Sequence, residues 1–171
     1  IENVNYSMTN YTSSIYEYTF NTTDYNAGFY NFTVYANDTN KNPAIEFNAS
    51  FNITRAQSYM NLYLNGTQSN WSVNEDTLVN ITAIMLEPIN AENITIYKNG
   101  SVIANSSSPA TNLSIHQPGL YNITSVYWGN INYTPTSKTW YLEVNDTTPP
   151  LVTNLIPVNG TIFNQSDNVT I

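Results

Sequence analysis

Asparagine is the residue whose spacing in this chain points most directly to chemistry. Twenty of the 29 asparagines are followed two residues later by Ser or Thr, with no Pro between them. Ser and Thr make up 37 of the 171 residues, so chance would give about six such triplets. The N-x-[ST] sequon is the acceptor for N-linked glycan, and we expect most of the twenty to carry one. The candidate sites are Asn5, Asn10, Asn21, Asn31, Asn37, Asn48, Asn52, Asn65, Asn70, Asn80, Asn93, Asn99, Asn105, Asn112, Asn122, Asn132, Asn145, Asn159, Asn164 and Asn168.

Alternation of polar residues along β-strands offers a second explanation for this spacing. Side chains two residues apart share a face of a strand, so alternation would enrich Ser and Thr equally before and after Asn. Only four asparagines have Ser or Thr two residues before them: Asn21, Asn52, Asn74 and Asn168. The asymmetry favours an enzyme that reads N-x-[ST] in one direction. A site at a folded junction, such as Asn145, is the kind we expect that enzyme to skip.

The composition indicates an extracellular protein and excludes several partners. Charged residues are 9% of the chain, against roughly 25% in ordinary globular domains, and glycans would supply the missing hydrophilic surface. The net charge of −8 with only four Lys and Arg argues against nucleic acid as a partner. No apolar run is long enough for direct membrane insertion. The absence of Cys is unlike most small secreted eukaryotic domains, which favours an archaeal cell-surface protein.

Catalytic and metal-binding residues are scarce. His116 is the only His and there is no Cys, so the usual Ser-His, Cys-His and zinc arrangements are missing, and we interpret His116 as a strand-end residue. The twelve carboxylates form no motif. The sequence therefore predicts no enzyme and no cofactor.

Calcium is the one metal with a candidate position. The segment 38–43 places oxygen ligands of the kind calcium accepts at Asp38, Asn40 and Asn42, and Asp146 is a second candidate. Against this, the segment has a single carboxylate with Lys41 in its midst, and Asp and Asn favour such loops by capping turns.

Hydrophobic periodicity of two residues runs through the chain and predicts an all-β fold. Turn signals such as Asn65-Gly66 and Asn99-Gly100 separate short alternating runs, and residues 55–145 are expected to form one complete module of seven strands. Leu113 and Ile115 are among the alternating apolar positions. Eleven sequons have a large apolar or aromatic middle residue, which in a strand would face the core while Asn faces solvent. They are Asn5, Asn10, Asn31, Asn52, Asn70, Asn80, Asn93, Asn112, Asn122, Asn132 and Asn168.

Two short segments match the tyrosine corner of immunoglobulin-like sandwiches. These are G-F-Y-N-F at 28–32 and G-L-Y-N-I at 119–123. In a tyrosine corner the hydroxyl binds the backbone near the start of strand F, which here assigns a structural role to Tyr30 and Tyr121. Antibody domains have Cys two residues past that Tyr, where this chain has Phe32 and Ile123.

Three further motifs resemble the Ig-like repeat modules of archaeal and bacterial cell-surface and filament proteins. D-T-T-P-P at 146–150 is similar to the opening of such modules, V-Y-A-N-D at 34–38 to their strand F exit, and Y-W-G-N-I-N-Y at 127–133 to a segment near the end of a related type. The resemblance implies tandem Ig-like antiparallel β-sandwich modules. Such modules serve as stalks, sheaths, filaments and enzyme appendages alike.

The two ends of the chain are expected to be complementary. Residues 1–54 match only the later strands of an Ig-like module, predicted at 3–8, 16–20, 29–36 and 45–54. Residues 146–171 match the first strands, A and B, predicted at 151–156 and 168–171. We expect head-to-tail association in which the tail of one copy completes the sandwich of the next by strand addition. The rival interpretation is a segment of a longer tandem repeat whose strands join covalently.

These expectations converge on a non-catalytic structural subunit of a heavily N-glycosylated extracellular filament, sheath or stalk, whose partners are copies of itself. Two alternatives remain open. One is an adhesin module that binds a surface glycan or partner, for which Trp71 and Trp128 would supply stacking surfaces. The other is an Ig-like spacer of a secreted enzyme.

Overall fold

The computed structural model describes residues 5–12, 15–153 and 156–170, and over this part of the chain the fold is all-β, as predicted. Twelve strands are joined by turns and one short 3-10 helix, Thr22–Asp24, and these residues contain no α-helix. None of their helices is long and apolar enough to cross a membrane. The strands are β1 (Thr9–Thr12), β2 (Ile15–Glu17), β3 (Gly28–Val34), β4 (Phe47–Ile53), β5 (Tyr59–Leu64), β6 (Trp71–Asn74), β7 (Leu78–Glu87), β8 (Ile94–Lys98), β9 (Ser101–Ser106), β10 (Ala110–Ile115), β11 (Gly119–Tyr127) and β12 (Thr136–Asn145).

Strands β5 to β12 form a sandwich of two sheets. One sheet has the order β10-β7-β5 and the other the order β6-β12-β11-β8-β9. Named in chain order as A, A′, B, C, C′, E, F and G, these sheets are E-B-A and A′-G-F-C-C′, an arrangement of the immunoglobulin-like kind. The strand beyond the predicted seven is β6, which pairs in parallel with β12 whereas the other ladders are antiparallel.

The core of the sandwich lies between the two sheets. Leu62, Ile81, Ile123 and Leu142 come from both sheets and are fully buried, each contributing about 1.5–3 kcal/mol by leaving water. The indole of Trp140 adds a polar link, because its Nε1 donates to the Leu62 carbonyl oxygen at 2.9 Å. The alternation of the sequence thus places the apolar layer without any disulfide.

Strand β10 has the opposite orientation to the prediction. Asn112 pairs with the buried Ile81 and faces the core, whereas Leu113 and Ile115 are exposed. The expectation that Asn112 faces solvent and that the two apolar residues face the core is therefore wrong. The physical reason is that the inward polar groups are hydrogen-bonded, with Asn112 Nδ2 donating to the Ile103 carbonyl at 2.9 Å, which removes the cost of facing inward.

The described part of residues 1–54 forms two separate two-stranded sheets, β1-β2 and β3-β4. Stacked aromatic rings take the place of a core there: Phe51 packs against Phe20 and Tyr30 with centroids 5.3 and 5.4 Å apart, and Tyr6 stacks on Tyr18 at 4.7 Å. None of the described residues in this region is buried.

The first strand of this region starts later than predicted. Residues 5–8 of the predicted strand 3–8 are not in a strand, residues 3 and 4 lie outside the described part, and β1 begins at Thr9. The pairing of Asn10 with Tyr16 in β2 explains the shift, since it provides a hairpin partner for the later residues.

The described residues of the tail, 146–153 and 156–170, contain no strand. The predicted strands at 151–156 and 168–171 are therefore absent from this chain alone, with residues 154, 155 and 171 outside the described part. A strand requires a neighbour for its backbone N–H and C=O groups, and the tail has none here. Its apolar side chains, including Leu151 and Ile162, are exposed.

Candidate functional site

The sequon asparagines lie on the surface. None of the twenty is buried; Asn65, Asn112, Asn122 and Asn132 are half-buried and the other sixteen are exposed. A bulky hydrophilic glycan requires such surface positions.

In three sequons on strands, the Ser or Thr hydroxyl donates a hydrogen bond to the side-chain oxygen of the Asn in the same triplet. The hydroxyl of Thr82 donates to Asn80 Oδ1 at 2.9 Å, and that of Thr124 donates to Asn122 Oδ1 at 2.7 Å. Ser114 makes the same bond to Asn112 at 2.6 Å. The bond fixes the carboxamide through its oxygen and leaves the glycan-accepting nitrogen free to point elsewhere. Among the triplets whose side chains the structure describes, only these three use it, so it does not account for the directional excess of sequons.

Two sequon asparagines that precede Gly in tight turns bind the backbone of a neighbouring strand through their side chains. Asn65 and Asn99 have φ values of 47° and 48°, the left-handed conformation that tight N-G turns require. Their Oδ1 atoms accept hydrogen bonds from the backbone N–H groups of Asn80 and Asn122, each at 2.8 Å. Each turn therefore places two sequon asparagines side by side.

In three sequons the amide nitrogen itself is engaged. Nδ2 of Asn112 donates to the Ile103 carbonyl at 2.9 Å, Nδ2 of Asn132 to Asn26 Oδ1 at 3.0 Å, and Nδ2 of Asn145 to Ser72 Oγ at 3.0 Å. Because an N-glycan replaces one of the two hydrogens on this atom, a glycan at these positions would have to fit beside a contact that the fold already makes.

Both predicted corner tyrosines make the bond that defines a tyrosine corner. The hydroxyl of Tyr30 donates to the Asn26 carbonyl and that of Tyr121 to the Gln117 carbonyl, each at 2.7 Å and four residues back. The residue two positions past Tyr121, Ile123, is fully buried.

His116 is buried just after β10 and joins a chain of hydrogen bonds. Lys98 Nζ lies 3.3 Å from His116 Nδ1, and Ser114 Oγ lies 3.3 Å from Nε2. Since an ammonium group only donates, Nδ1 accepts and Nε2–H donates to Ser114, whose hydroxyl donates in turn to Asn112 Oδ1. The neutral imidazole thus connects β8 to the inward face of β10.

Burial, and secondarily the Lys98 charge, lower the pKa of His116. Both act against the imidazolium form, because a charged ring loses water and faces another cation. The Lys98 ammonium is also held 4.9 Å from the centroid of the Tyr121 ring. His116 therefore lies at the end of the strand, as expected, and is also part of the packing at this corner.

The carboxylate of Asp38 is occupied by its own loop. Its Oδ1 accepts from the backbone N–H groups of Asn40 and Asn42 at 2.9 and 2.8 Å, and its Oδ2 accepts from Asn42 Nδ2 at 2.8 Å. The Asn42 side chain, with these backbone groups, lowers the pKa of Asp38. Turn capping thus accounts for the residue types that suggested calcium. Asp146 likewise accepts from the Thr148 N–H at 3.0 Å, and the described residues contain no group of three His, Cys, Asp or Glu side chains that could hold a metal ion.

The segment 127–133 forms a loop whose shape depends on one glycine. Gly129 has a φ of 78°, and a Cβ there would lie 2.7 Å from the Tyr133 carbonyl oxygen, so no other residue fits. Asn130 Oδ1 accepts from the N–H groups of Asn132 and Tyr133 at 2.8 and 2.9 Å.

This loop contacts the region that precedes the sandwich. Asn132 Oδ1 accepts from the Ala27 N–H at 2.8 Å while its Nδ2 donates to Asn26. The Asn132 carbonyl also accepts from the Ala56 N–H at 2.8 Å. Asn132 thus connects the tyrosine corner of Tyr30, the segment between β4 and β5 that contains Ala56, and the sandwich. The sequence showed Asn132 only as a sequon, because the partner at 26–27 is far away in the chain.

Glu75 holds the start of the tail. Its Oε1 accepts from the Thr147 N–H and the Thr148 hydroxyl, each at 2.7 Å. The Thr148 hydroxyl, and then the Thr147 N–H, lower the pKa of Glu75. Sequence reasoning missed this contact, and its only signal is the threonine pair ahead of Pro149.

An open groove lies beside Trp128 at the same end of the sandwich as the 127–133 loop. It is lined by Pro88, Ile89, Asn90, Glu92, Trp128 and Asn130 among others, and the Trp128 ring is exposed. Trp71, the other aromatic residue considered for sugar stacking, is half-buried against the core.

No protein-family model matches this chain, and no curated protein matches it. Among solved structures it is similar to the fibronectin(III)-like modules of Clostridium thermocellum CbhA, with 15% sequence identity and a TM-score of 0.43, over 75% of this chain and 68% of that chain.

Removing the corner hydroxyls should destabilise the fold modestly. Tyr121→Phe and Tyr30→Phe each delete one hydrogen bond to a carbonyl that water reaches, so we expect losses of about 0.5–1.5 kcal/mol in the free energy of unfolding. Denaturant unfolding measures both. Tyr35→Phe, at an exposed ring outside the corners, is the matched control. Unchanged unfolding midpoints in both corner variants would contradict the role assigned to these hydroxyls.

Stability should depend on the protonation of His116. Because its pKa is lower in the fold than in the unfolded chain, the unfolded state takes up the proton first. The contribution of His116 is therefore complete above its ordinary pKa of about 6.5 and is lost as the pH falls through the lowered value. We expect the free energy of unfolding to decrease from pH 7 to 5 in the unaltered chain and to vary less in His116→Gln. Parallel profiles for the two chains would refute this role.

Proposed function

We propose that this chain is a non-catalytic structural module of an N-glycosylated extracellular filament, sheath or stalk, and that its copies associate head to tail. The observation that carries the proposal is the coexistence, in one chain, of an open sheet region and an unpaired apolar tail. The Ig-like sandwich between them has the shape of a spacer.

The glycosylation part rests on the direction and placement of the sequons. The excess of N-x-[ST] over its reverse is not explained by strand alternation, and none of the twenty asparagines is buried. With few charged residues on the chain, glycans would take over the role that surface charge has in other soluble proteins. N-glycosylation takes place on translocated chains, which supports an extracellular location, and the absence of Cys favours an archaeal cell surface.

The assembly part rests on the described residues of 1–54. Strands β3 and β4 pair only with each other, so their outer edges keep free backbone groups, a state that invites pairing with another strand. The aromatic cluster of Phe20, Tyr30 and Phe51 is incompletely covered, since each of these residues is only half-buried. A two-stranded sheet of this kind is marginal by itself.

The tail has the properties of strands that could complete a sheet with open edges. Leu151, Val152, Ile156 and Ile162 are exposed, and Glu75 fixes the direction in which residues 147 and 148 leave the sandwich. Apolar side chains in an unpaired segment gain most by entering a sheet that lacks strands. We therefore assign 151–170 of one copy as the occupant of 1–54 in the next. A covalent tandem repeat would bring the same strands together within a longer chain.

Replacing tail residues tests the assembly. Val152→Asp with Ile162→Asp places charges at positions exposed in the single chain, so the sandwich should fold normally while strand addition is blocked. We expect end-to-end polymers of the unaltered chain in negative-stain images and single particles for the double variant. Thr161→Asp is the control, because it adds charge in the tail without removing an apolar side chain. Polymers that persist in the double variant would overturn the assignment, as would an unaltered chain that stays monomeric at high concentration.

Glycan occupancy at each sequon should depend on whether the Nδ2 atom of its Asn already donates a hydrogen bond within the protein. We expect Asn80, Asn122 and the exposed Asn52 to be occupied, and Asn112, Asn132 and Asn145, whose Nδ2 atoms already donate hydrogen bonds, to be largely unmodified. Peptide mass spectrometry of the native protein measures each site. Full occupancy of the three engaged sites would show that modification does not respond to these contacts.

An adhesin is the second candidate function, and the groove beside Trp128 favours it. The exposed indole offers a stacking surface and Asn90, Glu92 and Asn130 offer polar groups, a combination suited to sugars. Retention on a glycan array that is lost in Trp128→Ala would support this function, and equal binding by both chains would oppose it.

A further inference from the structure

Four sequon asparagines share one environment on the outer faces of the sheets. Each pairs directly, across an antiparallel ladder, with a large apolar side chain that solvent reaches. The exposed fractions of these partners are 59%, 68%, 61% and 45% for Tyr16, Phe29, Leu113 and Tyr141. The pairs are Asn10 with Tyr16, Asn52 with Phe29, Asn80 with Leu113 and Asn122 with Tyr141.

The geometry of an antiparallel ladder brings the members of each pair together. Residues directly opposite one another project from the same face, with Cβ atoms about 4.5–5.5 Å apart. A sugar attached to the Asn therefore starts within reach of the apolar side chain. The four Asn–apolar pairs belong to four different strand pairs, β1-β2, β3-β4, β7-β10 and β11-β12. They are therefore independent occurrences of one arrangement.

The amide nitrogens of these asparagines are available. Nδ2 of Asn52, Asn80 and Asn122 donates to no described residue, and in two of them the oxygen is already held by the sequon hydroxyl of Thr82 or Thr124. The contrast is Asn112, whose cross-strand partner Ile81 is buried and whose nitrogen is engaged.

The apolar partners lack a cover in the protein. The solvated face of an antiparallel sheet normally has polar residues at such positions, yet Leu113 and Phe29 project into solvent. One face of a pyranose ring consists of C–H groups, which leave water favourably when they pack on an aromatic or aliphatic side chain. A glycan on the Asn of each pair is thus chemically suited to cover the exposed side chain.

We propose that the first sugars of the N-glycans at Asn10, Asn52, Asn80 and Asn122 pack on their cross-strand partners and form the outer layer of the sheets. This proposal rests on the glycosylation proposed above. It adds that the sugars contact these side chains and thereby stabilise the fold. The occupant of each patch is the chain's own glycan rather than a second copy.

The test compares each substitution in two forms of the chain. One form comes from a host that glycosylates the protein, and the other from a host without N-glycosylation. Leu113→Thr and Phe29→Thr remove the apolar partner and keep strand propensity. Val102→Thr is the matched control, because Val102 is similarly exposed but its ladder partner is Tyr97.

Leu113→Thr and Phe29→Thr should lower Tm by about 2–4 °C more in the glycosylated form than in the unglycosylated one, the shift expected for one good contact in a chain of this size. Val102→Thr should shift both forms equally. Equal shifts for all three substitutions, with glycan present at Asn52 and Asn80, would overturn this inference and leave glycosylation standing. Peptides without glycan at those sites would instead refute the glycosylation itself. If Leu113→Thr abolishes self-association of the unglycosylated form, a second copy covers the patch and the inference is wrong.

Discussion

The apolar layer between the two sheets is the interaction on which the rest of the structure depends. Leu62 and Ile81 from one sheet and Ile123 and Leu142 from the other are fully buried, and no Cys exists to fix their separation. In antibody domains a disulfide joins the sheets at the position two residues past the corner tyrosine. Here Ile123 occupies that position, so packing, with hydrogen bonds such as that from Trp140 Nε1 to the Leu62 carbonyl oxygen, must hold the sheets together.

Most strands of the sandwich use one face for packing, which leaves the other face accessible to solvent. Where Asn and its Ser or Thr both face outward, as in the Asn80 and Asn122 triplets, one segment serves the core and the sequon together. Polar contacts then take over at the ends of the sandwich, where Asn132 joins the preceding region and Glu75 holds the start of the tail. Inward positions of the strands thus serve packing and outward positions carry sequons. Residues at the ends of the sandwich make the contacts between segments.

Local features of the fold were predictable from sequence, and contacts between distant segments were not. Periodicity of two, the N-G turns and the bonds of Tyr30 and Tyr121 depend on residues close together in the chain. The orientation of β10 was missed because an N-L-S triplet fits either face, and the choice depends on contacts with His116, just after the strand, and with the Ile103 carbonyl on β9. The contact of Asn132 with residues 26 and 27 spans more than a hundred positions and has no local signal. The described residues of the tail form no strand, because a strand also needs a neighbour for its backbone groups, which the apolar pattern of the tail does not reveal.

The central claim is that sugar, rather than charge, forms the surface of this β-sandwich. The most direct measurement is the mass of residues 1–171 isolated from the native organism, before and after the glycans are released chemically. The polypeptide alone has a mass of 19.2 kDa. We predict a native mass well above this value, as expected for many occupied sequons, which falls to the polypeptide mass after release. A native mass equal to that of the polypeptide would contradict it.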